Sequence, residues 1–133
     1  MAGTPAIAAG AGSAADKLAR LIESHLSPLA DRSDFMRVFL NERQHLPAES
    51  RRRIGKWSRG LERVFEDVLK EGVRRGELRS DLDTRLAVLG ILGMVNAVAN
   101  WHHTEEVAVG RISAEFARLL IDGVLKRPKA RRR

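Results

Sequence analysis

Between Ile54 and Leu69 the apolar residues are Ile54, Trp57, Leu61, Val64, Phe65, Val68 and Leu69, separated by steps of three, four, three, one, three and one. That spacing lines one face of an α-helix, because positions three and four apart stack on the same side. The rest of the chain reads the same way. It predicts five helices and no strands, an all-α fold in the form of a five-helix antiparallel bundle.

Residues 1–12 are rich in Ala and Gly and are expected to be disordered. Ser13 followed by Asp16 resembles a capping box and opens the first helix, whose apolar side carries Leu18, Leu21, Ile22, Leu26 and Leu29. Pro28 kinks or ends it. A short second helix is expected from Ser33 or Asp34, with Phe35, Val38 and Phe39 on one side, stopping before Leu46. Pro47 suits the first position of the third helix. Gly76 ends that helix, and Asp81 or Asp83 caps the fourth, which runs from about Asp83 to Trp101. The fifth is expected to begin at Ser113, with Ile112 and Ala117 as a hydrophobic staple, and it carries Phe116, Leu119, Leu120 and Val124. The folded domain thus spans 13–126, with a basic disordered tail at 127–133.

The charge balance is misleading unless divided. The chain has 133 residues with 24 Lys and Arg against 17 Asp and Glu, a net +7. Six of the positive charges lie in the last eight residues, Lys126 to Arg133; without them 18 positive charges face 17 negative ones. The basicity therefore belongs mainly to a tail, able to hold nucleic acid weakly and without sequence preference. Arg outnumbers Lys by 19 to 5, a usage expected of a GC-rich bacterial genome. There is no cysteine, which excludes disulfides, thiolate metal sites and cysteine nucleophiles. Residues 1–15 carry no Lys or Arg ahead of an apolar stretch, so no secretory signal is expected in them. The longest charge-free run, Leu86 to Thr104, is interrupted by Gly90, Gly93, Asn96 and Asn100 and reads as a buried helix, not a membrane span. The expected compartment is the cytoplasm.

The fourth helix is apolar or small on nearly every side, whereas the core of such a domain covers one side of each helix. A partner subunit is the simplest cover for the other. Ala87, Gly90, Met94 and Ala97 form a narrow stripe suited to close helix approach, which predicts a homodimer; the alternative is a helix lying deep in its own core. The side carrying Leu89, Leu92, Asn96 and Asn100 is expected to line an internal space with the third helix.

Three stretches carry a family resemblance. They are Arg37-Val38-Phe39-Leu40-Asn41-Glu42, then Leu46-Pro47-Ala48-Glu49, then Val68 to Arg79 with its Gly76-Glu77-Leu78 turn. Together with Asp83 to Trp101 and Ile112 to Leu125, they resemble the C-terminal regulatory domain of TetR-family transcriptional regulators, closest to a subgroup associated with lipid or acyl-CoA metabolism. The resemblance implies a bundle that holds a small apolar effector between its helices and dimerises through its last two helices, here including Phe116, Leu119, Leu120 and Gly123. It also implies that DNA is read by a separate N-terminal helix-turn-helix; the dozen or so residues before the first helix leave no room for one within this chain. Repression is the commoner output of the family. The alternative reading is a stand-alone helical interaction module.

The candidate effector pocket comprises Phe35, Phe39, Trp57, Leu61, Val64, Phe65, Val68, Met94, Asn96, Val98 and Trp101, the aromatic and flexible apolar side chains best able to surround such a ligand; each taken singly also suits ordinary core packing. Asn96 and Asn100 sit one turn apart in an apolar helix and need partners, either an effector's polar end or a neighbouring helix. His25 falls on the apolar side of the first helix as a packed or hydrogen-bonded core residue. His102 and His103 with Glu105 and Glu106 read as solvent-facing turn residues, and no metal or cofactor is implied. Arg52, Lys56, Arg59 and Arg63 form a basic stripe, read either as a solvated, ion-paired face beside Glu62, Glu66 and Asp67 or as a contact for the phosphates of a CoA-type effector. No phosphate-binding loop, nucleophile elbow or carboxylate pair in an apolar cleft is present, so no enzyme activity is expected.

Overall fold

The computed structural model describes residues 4–29 and 45–126. Among them are five helices: α1 (Thr4–Ala9), α2 (Ala14–Leu26), α3 (Ala48–Arg74), α4 (Thr84–Glu105) and α5 (Val109–Val124). There is no strand among the described residues beyond one isolated antiparallel bridge, Leu78 to Leu125. The expected second helix with Phe35 and Phe39, and the tail 127–133, lie outside the described residues.

The shortest of the long helices is the hub. α2 packs against α1, α3, α4 and α5. Its Ala14, Leu18, Leu21, Ile22 and Leu26 are buried together with Leu61, Phe65, Val68 and Leu69 of α3. Val88, Ile91, Val95, Val98 and Ala99 of α4 and Ile112, Ala117 and Val124 of α5 complete that core. Ser13 caps α2 by accepting from Asp16 N at 3.1 Å, and Asp83 Oδ1 caps α4 by accepting from Leu86 N at 3.0 Å.

Three expectations are corrected. Residues 4–9 form a helix, with Ile7 and Ala8 packed on the core, because an Ala-rich segment needs only a docking surface to become helical. α5 starts at Val109 with Ala108 as its N-cap, so Ser113 is a buried interior residue and Ile112 and Ala117 are core positions, not a staple. α4 continues through His102 to Glu105 and stops where Glu106 turns left-handed at φ 51°, so His102 belongs to a helix and is half-buried.

The turn after α3 fastens three helix ends. Gly76 adopts φ +75° and donates to Val73 O at 3.1 Å, while Glu77 N donates to Gly72 O at 2.9 Å, the bond pattern of a Schellman cap. Glu77 Oε1 then accepts from Ala14 N at 3.0 Å, satisfying a backbone donor in the first turn of α2. Leu78 is buried over Gly72, and Arg79 N donates to Val124 O at 3.0 Å at the end of α5. A Cβ at Gly72 would stand 2.6 Å from the Ala14 Cβ and 2.7 Å from Leu78 Cγ. Replacing Gly72 by Ala gains about 1 kcal/mol of helix propensity but overpacks a site with no flexible neighbour to yield. The expected net result for Gly72→Ala is a loss of about 1–3 kcal/mol, read from the urea midpoint.

Candidate functional site

The expected pocket residues on α3 divide by depth. Leu61, Phe65 and Val68 are buried, Val64 is half-buried against the core, and Trp57 is 43% exposed near the start of the helix. On α4, Val98 is fully buried, while Met94, Asn96 and Trp101 are half-buried. α3 and α4 pack against each other, so the buried members of the two rows share one apolar interior. Trp101 reaches further and meets Phe116 of α5, ring centroids 6.0 Å apart and planes at 59°. The two rings, with Val107 and Ile112, floor an open groove of about 430 Å³ rimmed by Glu105, Arg111 and Glu115. A second, polar cleft of about 200 Å³ lies between the α1–α2 junction and α3, with Lys17, Asp67, Glu71, Arg75 and Glu77 around it.

One buried polar contact joins α2 to α4. His25 Nε2 donates to Asn96 Oδ1 at 2.6 Å, so the amide finds its partner on a neighbouring helix. Both residues were legible singly as polar groups on apolar faces; two such groups without local partners were the signal for their pairing. With Nε2 carrying the hydrogen, Nδ1 keeps a bare lone pair, and it is buried with no partner. Burial lowers the His25 pKa below its usual 6.5, more strongly than the Asn96 contact raises it.

The far side of α4 is open. Leu86 is 65% and Leu89 44% exposed, and Gly90, Gly93 and Asn100 are exposed beside half-buried Ala87, Met94 and Ala97. Leu89 and Asn100 therefore do not line an interior with α3 as expected; only Leu92 and Asn96 turn inward, because the buried arc centres on Val95 and ends between them. On α5, Leu119 is 62% exposed and Gly123 exposed, with Phe116 and Leu120 half-buried. A Cβ at Gly90, Gly93 or Gly123 would meet nothing within 4 Å. Leu86, Leu89 and Leu119 are thus large apolar side chains left in solvent, among small residues whose surface no described residue covers. By length and composition Thr84–His102 would suffice to cross a bilayer, but its inner arc is part of the core.

The basic stripe is turned away from all of this. Arg52, Lys56, Arg59 and Arg63 are exposed on the side of α3 opposite Leu61, Phe65 and Val68. The ion-paired reading does not hold for this half of the helix, since Glu62 pairs with Arg85 of α4 and Glu66 with Lys70. No group of three or more His, Asp or Glu able to hold a metal is found among the described residues.

Residues 11–124 match the family model for the tetracyclin repressor-like C-terminal domain. The chain belongs to this family. The TetR-like domain is similar to the fatty acid metabolism regulator protein of Bacillus subtilis strain 168, 29% identical over 113 residues, which are 84% of this chain and 58% of that protein. It also superposes on a TetR/AcrR-family regulator from Thermobifida fusca with a TM-score of 0.77 and 27% identity, covering 90% of this chain and 63% of the other. A Bacillus subtilis FadR solved in complex with stearoyl-CoA gives 0.74 and 28%, with coverages of 87% and 63%. The ketosteroid regulator KstR2 of Mycobacterium tuberculosis shares the fold at TM-score 0.84 and 17% identity, over 95% of this chain and 65% of that one. The domain spans less than two thirds of each of these relatives.

The His25–Asn96 pair sets a pH response. Because the folded state holds His25 neutral below its unfolded pKa, the unfolded chain binds the extra proton, and stability falls as pH drops through about 6.5. Thermal melts at pH 7.5 and 5.5 are expected to show a drop in Tm that His25→Gln, which keeps an amide donor for Asn96, reduces; an equal drop in both proteins would remove His25 as its source.

Proposed function

We propose that this TetR-like domain is the effector-binding and dimerising half of a transcriptional regulator, most simply a repressor, and that its effector is a long-chain acyl compound such as an acyl-CoA. The observation that carries the ligand class is its similarity, across most of its length, to a regulator of fatty acid metabolism and to a FadR solved with stearoyl-CoA. The apolar interior shared by Phe65, Val68 and Val98, with Val64 and Trp101 beside it, supports an aliphatic guest. In this reading Trp57 belongs to the pocket, as do Phe35 and Phe39, which lie outside the described residues. DNA recognition rests with the helix-turn-helix that the family resemblance places ahead of such a domain.

The uncovered face supports the dimer. Leu86, Gly90, Ala97, Leu119 and Gly123 present an apolar surface with small residues, and a second copy packing α4 and α5 against the same pair would bury it symmetrically. Acyl binding then acts by favouring one arrangement of the two subunits, with a coupling of typically about 1–3 kcal/mol.

Native mass spectrometry of the purified chain tests both parts. A dimer that takes up stearoyl-CoA is expected. Gly90→Arg, at a position where added atoms meet nothing in the monomer, is expected to give folded monomers. Trp57→Ala with Phe65→Ala is expected to weaken acyl-CoA binding at least tenfold by calorimetry. A monomeric parent chain would sink the interface, and unchanged affinity in the double variant would sink the pocket and leave a stand-alone helical module as the better reading.

A further inference from the structure

The two halves of α3 treat their charges differently. In the C-terminal half the cations are neutralised: Lys70 pairs with Glu66, and Arg74 and Arg75 both pair with Glu71. In the N-terminal half Arg51, Arg52, Arg53, Lys56 and Arg59 have no ion-pair partner among the described residues, and Arg63 bonds only the Arg59 carbonyl. Of the carboxylates near the stripe, Glu62 is held by Arg85 of α4 at 2.7 Å and Glu66 by Lys70, while Glu49 and Asp67, one turn from Arg52 and Arg63, make no ion pair with them. Local stability does not explain the arrangement. Cations in the early turns of a helix oppose its dipole, and like charges four apart repel.

We propose that the outward face of α3 formed by Arg52, Lys56, Arg59 and Arg63 is a sequence-independent contact for the phosphate backbone of nucleic acid. The four side chains extend over twelve positions, eleven rises or about 16 Å of helix. That length matches the rise of roughly five phosphates along one strand at 3.4 Å each. Three of the four are Arg, whose planar fork suits phosphate oxygens. A membrane surface fits less well, because an interfacial helix buries an apolar face beside its charges, and here that face (Leu61, Phe65 and Val68) is committed to the core. A small phosphorylated ligand fits less well too, since the face is convex and spread out, with no wall to enclose it. The contact adds affinity without sequence choice, and it stands independently of the effector reading because it needs no ligand in the bundle.

The test is fluorescence anisotropy of a labelled 20-base-pair duplex of arbitrary sequence, titrated with the full chain across a range of KCl concentrations and with no acyl ligand present. All proteins carry Gln at Arg127, Lys129, Arg131, Arg132 and Arg133, so that the tail does not contribute. The parent is expected to bind with a slope of log K against log salt near −3 to −4, at about 0.9 per phosphate neutralised. Gln at all four stripe positions is expected to weaken binding at least tenfold at low salt and flatten the slope. Lys70→Gln with Arg74→Gln is expected to change neither. Each single change, such as Arg59→Gln at an exposed site, is expected to lower the slope by about 0.9, so the reading does not hinge on the fold of the quadruple variant. Absence of duplex binding by the parent, unchanged binding in the single and quadruple variants, or tighter binding to phosphatidylserine vesicles than to the duplex would each overturn it.

Discussion

The structure depends on a hydrogen bond between residues 63 positions apart, Ala14 N to Glu77 Oε1. Helix ends leave backbone donors and acceptors unsatisfied, and a buried one left bare costs about 1–3 kcal/mol. Here the donor belongs to the helix that every other described helix touches. Its acceptor sits in a turn held by the Gly76 cap, with Leu78 pressed onto Gly72. Because Arg79 and Lys126 exchange backbone bonds with Val124 and Glu77 across the same turn, the ends of α2, α3 and α5 are set by a few adjoining residues. The Gly-Glu-Leu turn is thus a joint, and each of its three residues has a separate physical task.

α4 shows two surfaces: an inner arc of Val88, Ile91, Val95, Val98 and Ala99, closely packed, and an outer one of Leu86, Gly90 and Gly93 with nothing against it. Glycine is a poor helix former, at about 1 kcal/mol relative to Ala. Both glycines lie on the exposed side, where a Cβ would meet nothing within 4 Å, so packing within the described residues does not require them. The half-buried pair His25 and Asn96 bond each other at 2.6 Å, which offsets part of their desolvation cost and helps fix how α2 lies on α4.

Much of this was legible in the residues because helix periodicity is a local property. The buried face of α3, the Ser13 and Asp83 caps, the Gly76 stop and the two-sided character of α4 all follow from spacing alone. What escaped depended on contacts between distant segments. Residues 4–9 become helical only by docking Ile7 and Ala8, and α5 begins four residues early because Val109 and Ile112 have a core to enter. Leu89 and Asn100 sit at the edge of a buried arc whose width is set by neighbouring helices, so the helical wheel gave their direction but not their depth. The stripe on α3 looked neutralised by Glu62 and Glu66 until Arg85 and Lys70 took those carboxylates. Within the candidate pocket the pattern identified Leu61, Phe65, Val68 and Val98 as apolar and inward, but Trp57 on the same helix is 43% exposed. The pattern carried no information on which of them yield to a guest.

The placement of the joint also determines when the domain can become itself. α2 is synthesised ahead of the three longer helices it packs against, yet the oxygen that receives Ala14 N is 63 residues downstream, the partner for His25 is 71 away, and the buried face of α5 comes later still. Closing such loops grows more expensive only slowly with length, by about 0.6 kcal/mol per doubling, but none of it is returned until the distant segment exists. A nascent chain that has reached α3 holds an amphipathic pair of helices without the Glu77 acceptor and with half a core. Native order arrives as one late, cooperative event, and until then the apolar side of α2 is the surface most in need of shelter.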